Sequence, residues 1–450
     1  MTATKKGVAA KATTARREAA VNVVKLDAKN PIPIETEGKG YIISRGRKYA
    51  PFLDDKDNFF QIILEAGLLS PTNRSCVNSK SKFSIGKGIV SKNEDELFKQ
   101  FSKKVNAYGQ SLSKLLKKIF TGYFSCGNVF VNLVKVTVGK KVTVHAYVKN
   151  HMDCRLLLPE KGTGLPTQVV ISKNFRRKGT WNLTDESEYS IVNLYNGDPA
   201  QKWTKLPDGN EHLIIHLKHE EEGYDYYGMP SNIACLPQQI LEYKMARANL
   251  DNLDNGLAVG GLILLSGNLS SDEAKLTAQK ITNAHAGDGK RGKYVVLAAE
   301  GNENSKVIPF DNTKEYDYVE GDKRVEEKIL FANEWSKTLI DPSSSGLNSG
   351  KFIRELYGTK MNTVISPVQS FVIDEFLMPY LTIVDSMQGT KFAQQEYMFA
   401  NLPILGIANE VDVNSVITVD EGRAMLGLAE LGTPEGKQIV KQKTNSNVPG

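Results

Sequence analysis

The residues most able to do chemistry in this chain sit in a few short constellations. Gly287–Lys293 reads G-D-G-K-R-G-K and formally satisfies the phosphate-loop pattern G-x-x-x-x-G-K. A loop that cradles phosphates follows a strand, opens a helix and carries Ser or Thr after its Lys. Here the periodicity predicts a helix before the pattern and a strand, Tyr294–Ala298, after it, and the hydroxyl position is Tyr294. The expectation is a basic glycine turn that could meet an acidic partner surface or a DNA phosphate. His212, His216 and His219 invite a metal reading. On a strand, however, His212 and His216 lie about 13 Å apart at ~3.3 Å per residue, too far to share one ion. Glu221-Glu222 and Glu326-Glu327 lie in no motif that would set acid–base roles, so a solvated place is expected. Cys76, Cys126, Cys154 and Cys235 are scattered without a C-x-x-C pair and read as reduced thiols in a reducing cytoplasm. These patterns call for no metal and no cofactor, and they exclude a strong enzymatic signature.

The elements that must position these residues are mixed. The 450 residues exceed one ordinary core and should divide into two to four domains of an α+β protein. Its 57 basic and 51 acidic residues leave a net charge of only +6. That permits contact with nucleic acid and argues against tight coating of it. No apolar run is long enough to span a bilayer, so no membrane partner is expected. The N-terminus carries Lys5, Lys6, Lys11, Arg16 and Arg17 without an apolar signal core, which argues against secretion. Helices are predicted over Asn58–Leu69, Asp95–Phe101 and Gln110–Phe124; in the last, Leu112, Leu115, Leu116 and Ile119 point inward and Lys114, Lys117 and Lys118 outward. Gly127-Asn128 should turn into strands Val129–Val138 and Val142–Val148, with shorter strands following to residue 220.

The tract from His212 to Ser266 is the most organised. Leu213, Ile215 and Leu217 alternate as a strand, and Tyr227-Gly228-Met229-Pro230 makes a corner. Ser231 or Asn232 can cap a helix that ends at Asn255-Gly256, and Leu257–Leu265 is a further strand. Ser270 or Ser271 should cap a helix, followed by strands Tyr294–Ala298 and Lys306–Phe310 and a second long helix over 320–340, closed at Asp341-Pro342. A polar Ser343–Gly350 stretch then precedes a helical Met361–Gln388, which Pro367 and Pro379 should kink or break. Near the end, Thr418 caps a short helix with Asp420 and Glu421 in its first turn.

This order of elements resembles the portal proteins of tailed bacteriophages, and the segment Val416–Leu431, VITVDEGRAMLGLAEL, is similar to one near their C-terminus. The resemblance spans about residues 50–431. It implies a multi-domain α+β portal fold: a mobile basic tail at 1–30, an α/β wing over 31–228, a first stem helix over 229–257 and a small α/β clip over 258–315. A second stem helix over 316–341, a tunnel loop over 342–360, a C-terminal helical region over 361–431 and a disordered tail over 432–450 complete it. The implied function is a structural ring subunit, not an enzyme, at one capsid vertex, a channel for packaging and ejecting double-stranded DNA. Twelve copies are the expected ring. In that frame Lys351, Arg354 and Lys360 touch DNA phosphates from the tunnel loop, and Glu320, Asp322, Glu326 and Glu327 line the channel wall. His285, Lys290, Arg291 and Lys293 form the clip face. Implied partners are further copies of the chain, the duplex, the terminase large subunit, the major capsid or scaffolding protein, and a head–tail adaptor. Assembly would occur in the host cytoplasm, ending in the virion. The rivals are a cytoplasmic nucleotide-binding enzyme and another ring-forming head–tail adaptor; particle size separates the first, and the paired stem helices around a clip argue against the second.

Overall fold

The computed structural model describes residues 48–52, 57–93, 95–159, 164–178, 183, 185–254, 261–266, 276, 295–299, 306–309, 315–341, 349–402, 418–425, 431–434 and 436–438. The chain is α+β in these residues. Helices α1 (Phe59–Leu69) and α2 (Pro71–Ile85) lead to a short strand β1 (Ile89–Ser91) and then to α3 (Glu96–Lys103) and α4 (Leu112–Cys126). Strands β2 (Asn128–Val138) and β3 (Lys141–Lys149) form a hairpin, followed by β4 (Cys154–Leu156), β5 (Gln168–Ile171), the short α5 (Asn174–Lys178) and β6 (Ser190–Asn193). Next come β7 (Thr204–Lys205), β8 (Glu211–Lys218) and helix α6 (Leu236–Asp254). Beyond α6 lie β9 (Gly261–Ser266), β10 (Val295–Ala299), β11 (Lys306–Pro309) and α7 (Glu315–Ala332). A short α8 (Lys337–Ile340), a helical run over 349–388, β12 (Tyr397–Phe399) and a last helix Val419–Met425 complete the order.

The main sheet is antiparallel, in the order β3-β2-β8-β7, with Val131 opposite both Val148 and Ile215. Its inner face presents Val129, Val131, Leu133, Leu213, Ile215 and Leu217. Helix α4 covers that face with Leu115, Leu116, Ile119 and Phe120, while Phe376, Tyr380, Leu381 and Val384 arrive from the helical run near the C-terminus. Each such side chain contributes about 1.5–3 kcal/mol through removal from water. Strands β1 and β12 pair across the chain, Ile89 opposite Phe399, and tie the late helices to the early ones. A second sheet, β4-β5-β6, is antiparallel throughout. The third has β9 at its centre, with β10 parallel and β11 antiparallel to it.

Most predicted elements are present, with four differences. Helix α2 was not expected: its sequence PTNRSCVNSKSKFSI has no apolar stripe, yet Ser70 caps it at Asn73 N–H and it buries Asn73, Ser79, Lys80, Ser81 and Ser84. The helix expected over 320–340 ends at Ala332; Glu334 adopts a left-handed φ of 51°, and the separate α8 follows. Residues 349–360 of the expected tunnel loop are helical. Pro367 and Pro379 do not break their helix, which continues from residue 349 to residue 388. A five-residue π-turn precedes each, at Met361–Ile365 and Ile373–Leu377, where Ser366 N–H reaches Met361 O and Met378 N–H reaches Ile373 O. The wider turn makes room for a ring that lacks an N–H, so the helical run continues past the missing bond. The mobile tail expected at 1–30 and the capped helix after Ser270 lie outside the described residues. Of the tail expected to be disordered, residues 436 and 438 accept hydrogen bonds from Asp420 and Val419 N–H groups.

Candidate functional site: the paired helices and their junction

The tract that begins in β8 is held by one side chain. Asn128, fully buried at the end of α4, donates from Nδ2 to Cys126 O (3.0 Å) and Gly228 O (2.7 Å). Its Oδ1 accepts from Gly228 N–H at 2.9 Å and lies 3.1 Å from His216 Nε2. A Cβ on Gly228 would sit 2.5 Å from His219 N and 2.7 Å from His219 O, so the corner tolerates only glycine. Gly127 takes a left-handed φ of 69° as the C-cap of α4, which no β-branched residue would accept. Tyr227 Oη donates to Ala50 O and accepts from Leu156 N–H, both at 2.8 Å.

The histidines before the corner have structural partners. His216 stacks on Phe130 with ring centroids 4.3 Å apart, and burial pushes its pKa down to about 3. His212 lies against Asp208 (2.9 Å) and Asn132 (3.1 Å), with burial holding its pKa down. Four buried cysteines are free thiols, and burial pushes Cys76, Cys126 and Cys154 up to about 12.

After Pro230 the chain makes a 3-10 turn, Ser231–Cys235, and α6 begins at Leu236, later than the expected cap. Asn232 does not cap. Its Nδ2 donates to Asn73 Oδ1 (2.7 Å) on α2 and Asn333 Oδ1 (3.2 Å) beyond α7. Asn333 Nδ2 closes the triangle on Asn73 Oδ1 at 3.0 Å. Beside it, Lys80 is 1% exposed, donates to Asn333 O at 3.2 Å and lies 4.9 Å from the Phe124 ring centroid. Burial pushes its pKa down to about 8. Trp335 Nε1 donates to Ser79 Oγ at 3.1 Å. Glu242 of α6 accepts from Thr72 Oγ1 at 2.6 Å and from Ser70 Oγ.

Helices α6 and α7 run antiparallel: Asn232 meets Asn333 at one end, and a Cβ on Gly321 would lie 3.4 Å from Met245 further along. Cys235, Val325 and Ile329 form their shared core with Met245 and Ala332. Both helices leave large apolar side chains uncovered within the subunit: Leu250 is 58% and Phe331 85% exposed.

The expected wall residues divide. Asp322 and Glu327 are exposed, whereas Glu326 is half-buried and pairs with Lys337 at 2.8 Å; the Glu320 side chain lies outside the described residues. Lys323, Arg324 and Lys328 are exposed on the same helix, so its outer surface carries both signs. Lys351, Arg354 and Lys360 lie on the helix Ser349–Lys360, not on a loop. Arg354 and Lys360 are half-buried, and Arg354 Nε is enclosed without a hydrogen-bond partner among the described residues; nothing is described of the Lys351 side chain. His285, Lys290, Arg291 and Lys293, with the glycine turn Gly287–Lys293, lie outside the described residues. Sequence reasoning missed the Asn73–Asn232–Asn333 junction. Its one local signal was three asparagines inside predicted or bordering helical segments, where Asn is a poor interior residue.

No family model matches the chain, and no curated protein matches it. Among solved structures it is similar to a chain in the neck of an empty gene transfer agent particle, at 15% identity and a TM-score of 0.49, covering 86% of this chain and 98% of that one. A chain in the neck of the native particle, computed with twelve-fold symmetry, matches at 14% identity and 0.48 over 86% and 98%. An HK97-family phage portal protein from Corynebacterium diphtheriae matches at 13% identity and 0.41 over 75% and 93%.

Proposed function

We propose that this chain is the structural subunit of a portal ring, not an enzyme, and that α6 and α7 are its stem. The observation that carries the reading is the antiparallel pair α6–α7. The chain departs along α6, builds the three-stranded sheet β10-β9-β11, and returns along α7 to the point of departure. A helix pair that leaves from and returns to a buried asparagine triangle suits a part that must keep one direction relative to the rest of the chain. The exposed Leu250 and Phe331 are then contacts for neighbouring copies, since such side chains on a lone subunit are unfavourable.

The ring would hold twelve copies at one capsid vertex and pass double-stranded DNA without reading its sequence. Lys351 and Arg354 would approach phosphates from the first turns of a helix and Lys360 from its last residue. On α7, alternating charges would let a duplex slide, with Asp322 and Glu327 repelling it and Lys323 and Lys328 limiting that repulsion. Each contact stays weak, and repetition around the ring makes a collar. The terminase large subunit and the head–tail adaptor would dock on the clip face that holds His285, Lys290, Arg291 and Lys293. Major capsid or scaffolding protein would contact the wing. Assembly is placed in the host cytoplasm and the finished ring in the virion.

Negative-stain imaging with light scattering tests the reading. Rings with a central hole, near 600 kDa for twelve copies of a 49.7 kDa chain, are expected. A monomer or dimer under all conditions would overturn it. Phe331→Asp should return the ring to smaller species while the subunit keeps its melting temperature.

A further inference from the structure

A cavity of about 620 Å³ opens between α1, α2, α4 and the β2–β3 hairpin, with Asn73 of the asparagine triangle in its lining. Four cations border it: Arg74, Lys117, Lys118 and Lys149. Among its described lining residues there is no carboxylate. The rest of its lining mixes the apolar Ile63, Leu64, Leu68, Val77, Val129 and Val148 with uncharged polar residues such as Asn78, Thr121 and Ser125, and Leu68 is 59% exposed. Two glycines keep it open. A Cβ on Gly122 would lie 3.1 Å from Val129 Cγ2, and one on Gly67 would lie 3.1 Å from Asn73 Nδ2. At one wall stands His151, whose Nε2 is buried without a hydrogen-bond partner among the described residues.

The combination selects a ligand class. Four unopposed cations disfavour a basic or neutral occupant and favour carboxylates or phosphates. The apolar walls disfavour a nucleic-acid backbone, which would leave Leu68 and its neighbours facing water or phosphate. A short polypeptide meets both demands, with Asp or Glu side chains on the rim and Leu- or Phe-like anchors between them. We propose that this groove binds an acidic, partly apolar peptide segment of a partner protein. The inference does not rest on the ring reading.

The test uses the full chain. A displayed library of random peptides, about twelve residues long, is selected on the wild-type protein, and recovered peptides are measured by fluorescence anisotropy. Recovered sequences should carry several Asp or Glu and at least two large apolar residues. Lys117→Glu/Lys118→Glu and Leu68→Asp should each weaken binding at least about tenfold. Lys103→Glu/Lys104→Glu, the same charge change on α3, should leave it unchanged. All substituted side chains are exposed or at a surface, and an unaltered melting temperature shows the fold intact. Recovery of no peptides, of basic peptides, or of peptides indifferent to the Lys117/Lys118 reversal overturns the proposal. A short DNA duplex that binds as tightly as the best peptide and loses affinity in the same variant assigns the groove to nucleic acid instead. Protection of the Lys117 and Lys118 amides from hydrogen exchange on self-association alone assigns it to a second copy of the chain.

Discussion

Asn128→Ala is the substitution that most directly probes how β8 turns toward α6. Its amide serves Cys126 O, Gly228 O, Gly228 N–H and His216 Nε2. Truncation leaves these four groups without their partner in a buried place. A buried orphan costs about 1–3 kcal/mol, which would give up to ~12 kcal/mol if nothing relaxed. Asn128 also borders the open groove beside α4, so water can reach part of the vacancy and satisfy some of the carbonyls. The net expectation is a loss of about 3–5 kcal/mol, at the upper end for a single substitution. The assay is hydrogen exchange of the Gly228 amide, which donates to Asn128 Oδ1 at 2.9 Å. With a tenfold change per 1.4 kcal/mol, its protection should fall by a factor of about 100–4000 while amides in β5 keep theirs. Asn128→Asp separates geometry from mere size. It keeps the acceptor for Gly228 N–H, loses both Nδ2 donations, and brings a carboxylate to His216 Nε2. That should raise the His216 pKa from its burial-depressed value of about 3, readable by imidazole proton resonance titration. Unchanged Gly228 protection in the alanine variant would refute the clamp.

Other outcomes follow from single sites. Gly228→Ala should prevent the corner from closing, because the new methyl would meet three backbone atoms, and soluble yield should collapse while Gly358→Ala, in open space and without a left-handed φ, is tolerated. Asp57→Asn should cost about 3–5 kcal/mol in urea unfolding, since it strands the fully buried Arg155 guanidinium that now meets Asp57 Oδ1 at 2.7 Å; a loss below 1 kcal/mol would count against that pair. Lys80 has a folded pKa of about 8 against an ordinary 10.5, so between those values the folded chain holds fewer protons than the unfolded one. This site therefore gains stability as pH rises through the window, by roughly 3 kcal/mol, and the stability difference between wild type and Lys80→Met should widen by that amount; parallel pH profiles would contradict it. Thr418→Val should lower protection of the last helix by about 1 kcal/mol, because Thr418 Oγ1 accepts from Glu421 N–H while Glu421 returns the bond to Thr418 N–H at 2.8 Å.

Periodicity located the elements whose one face is apolar. Helix α4 and strands β2, β3 and β8 were readable because Leu115, Ile119, Val131 and Ile215 repeat at helical or strand spacing against one core. The Thr418 cap was readable because its partner lies three residues away. Helix α2 was not, because its inward face is Asn73, Ser79, Lys80, Ser81 and Ser84, whose partners lie on α7, α4 and the C-terminal helix. The prolines misled for a related reason. Their ordinary effect on an isolated helix is a break, but Val372, Tyr380 and Leu381 pack the helical run on both sides of the second π-turn into the main core. Tertiary packing then favours one direction, and the backbone absorbs the missing hydrogen bonds locally.

The unreadable residues share a physical character that bears on function. Apolar packing is nondirectional and leaves a helix free to slide or rotate at small cost. The Asn73–Asn232–Asn333 triangle has no such freedom: a shift of one residue along α6 or α7 would leave amide groups unpaired in a buried place. Glu242 performs the same task one turn further along, holding the start of α2 through Ser70 and Thr72. These contacts therefore set the angle and register of the helix pair more than they add stability. If so, Asn333→Leu, which replaces the polar vertex with an apolar side chain of similar volume, should change melting temperature less than it changes assembly. The expected readout is a broadened distribution of particle sizes from a well-folded subunit. A subunit that loses its fold and its assembly together would show that the triangle acts through stability alone.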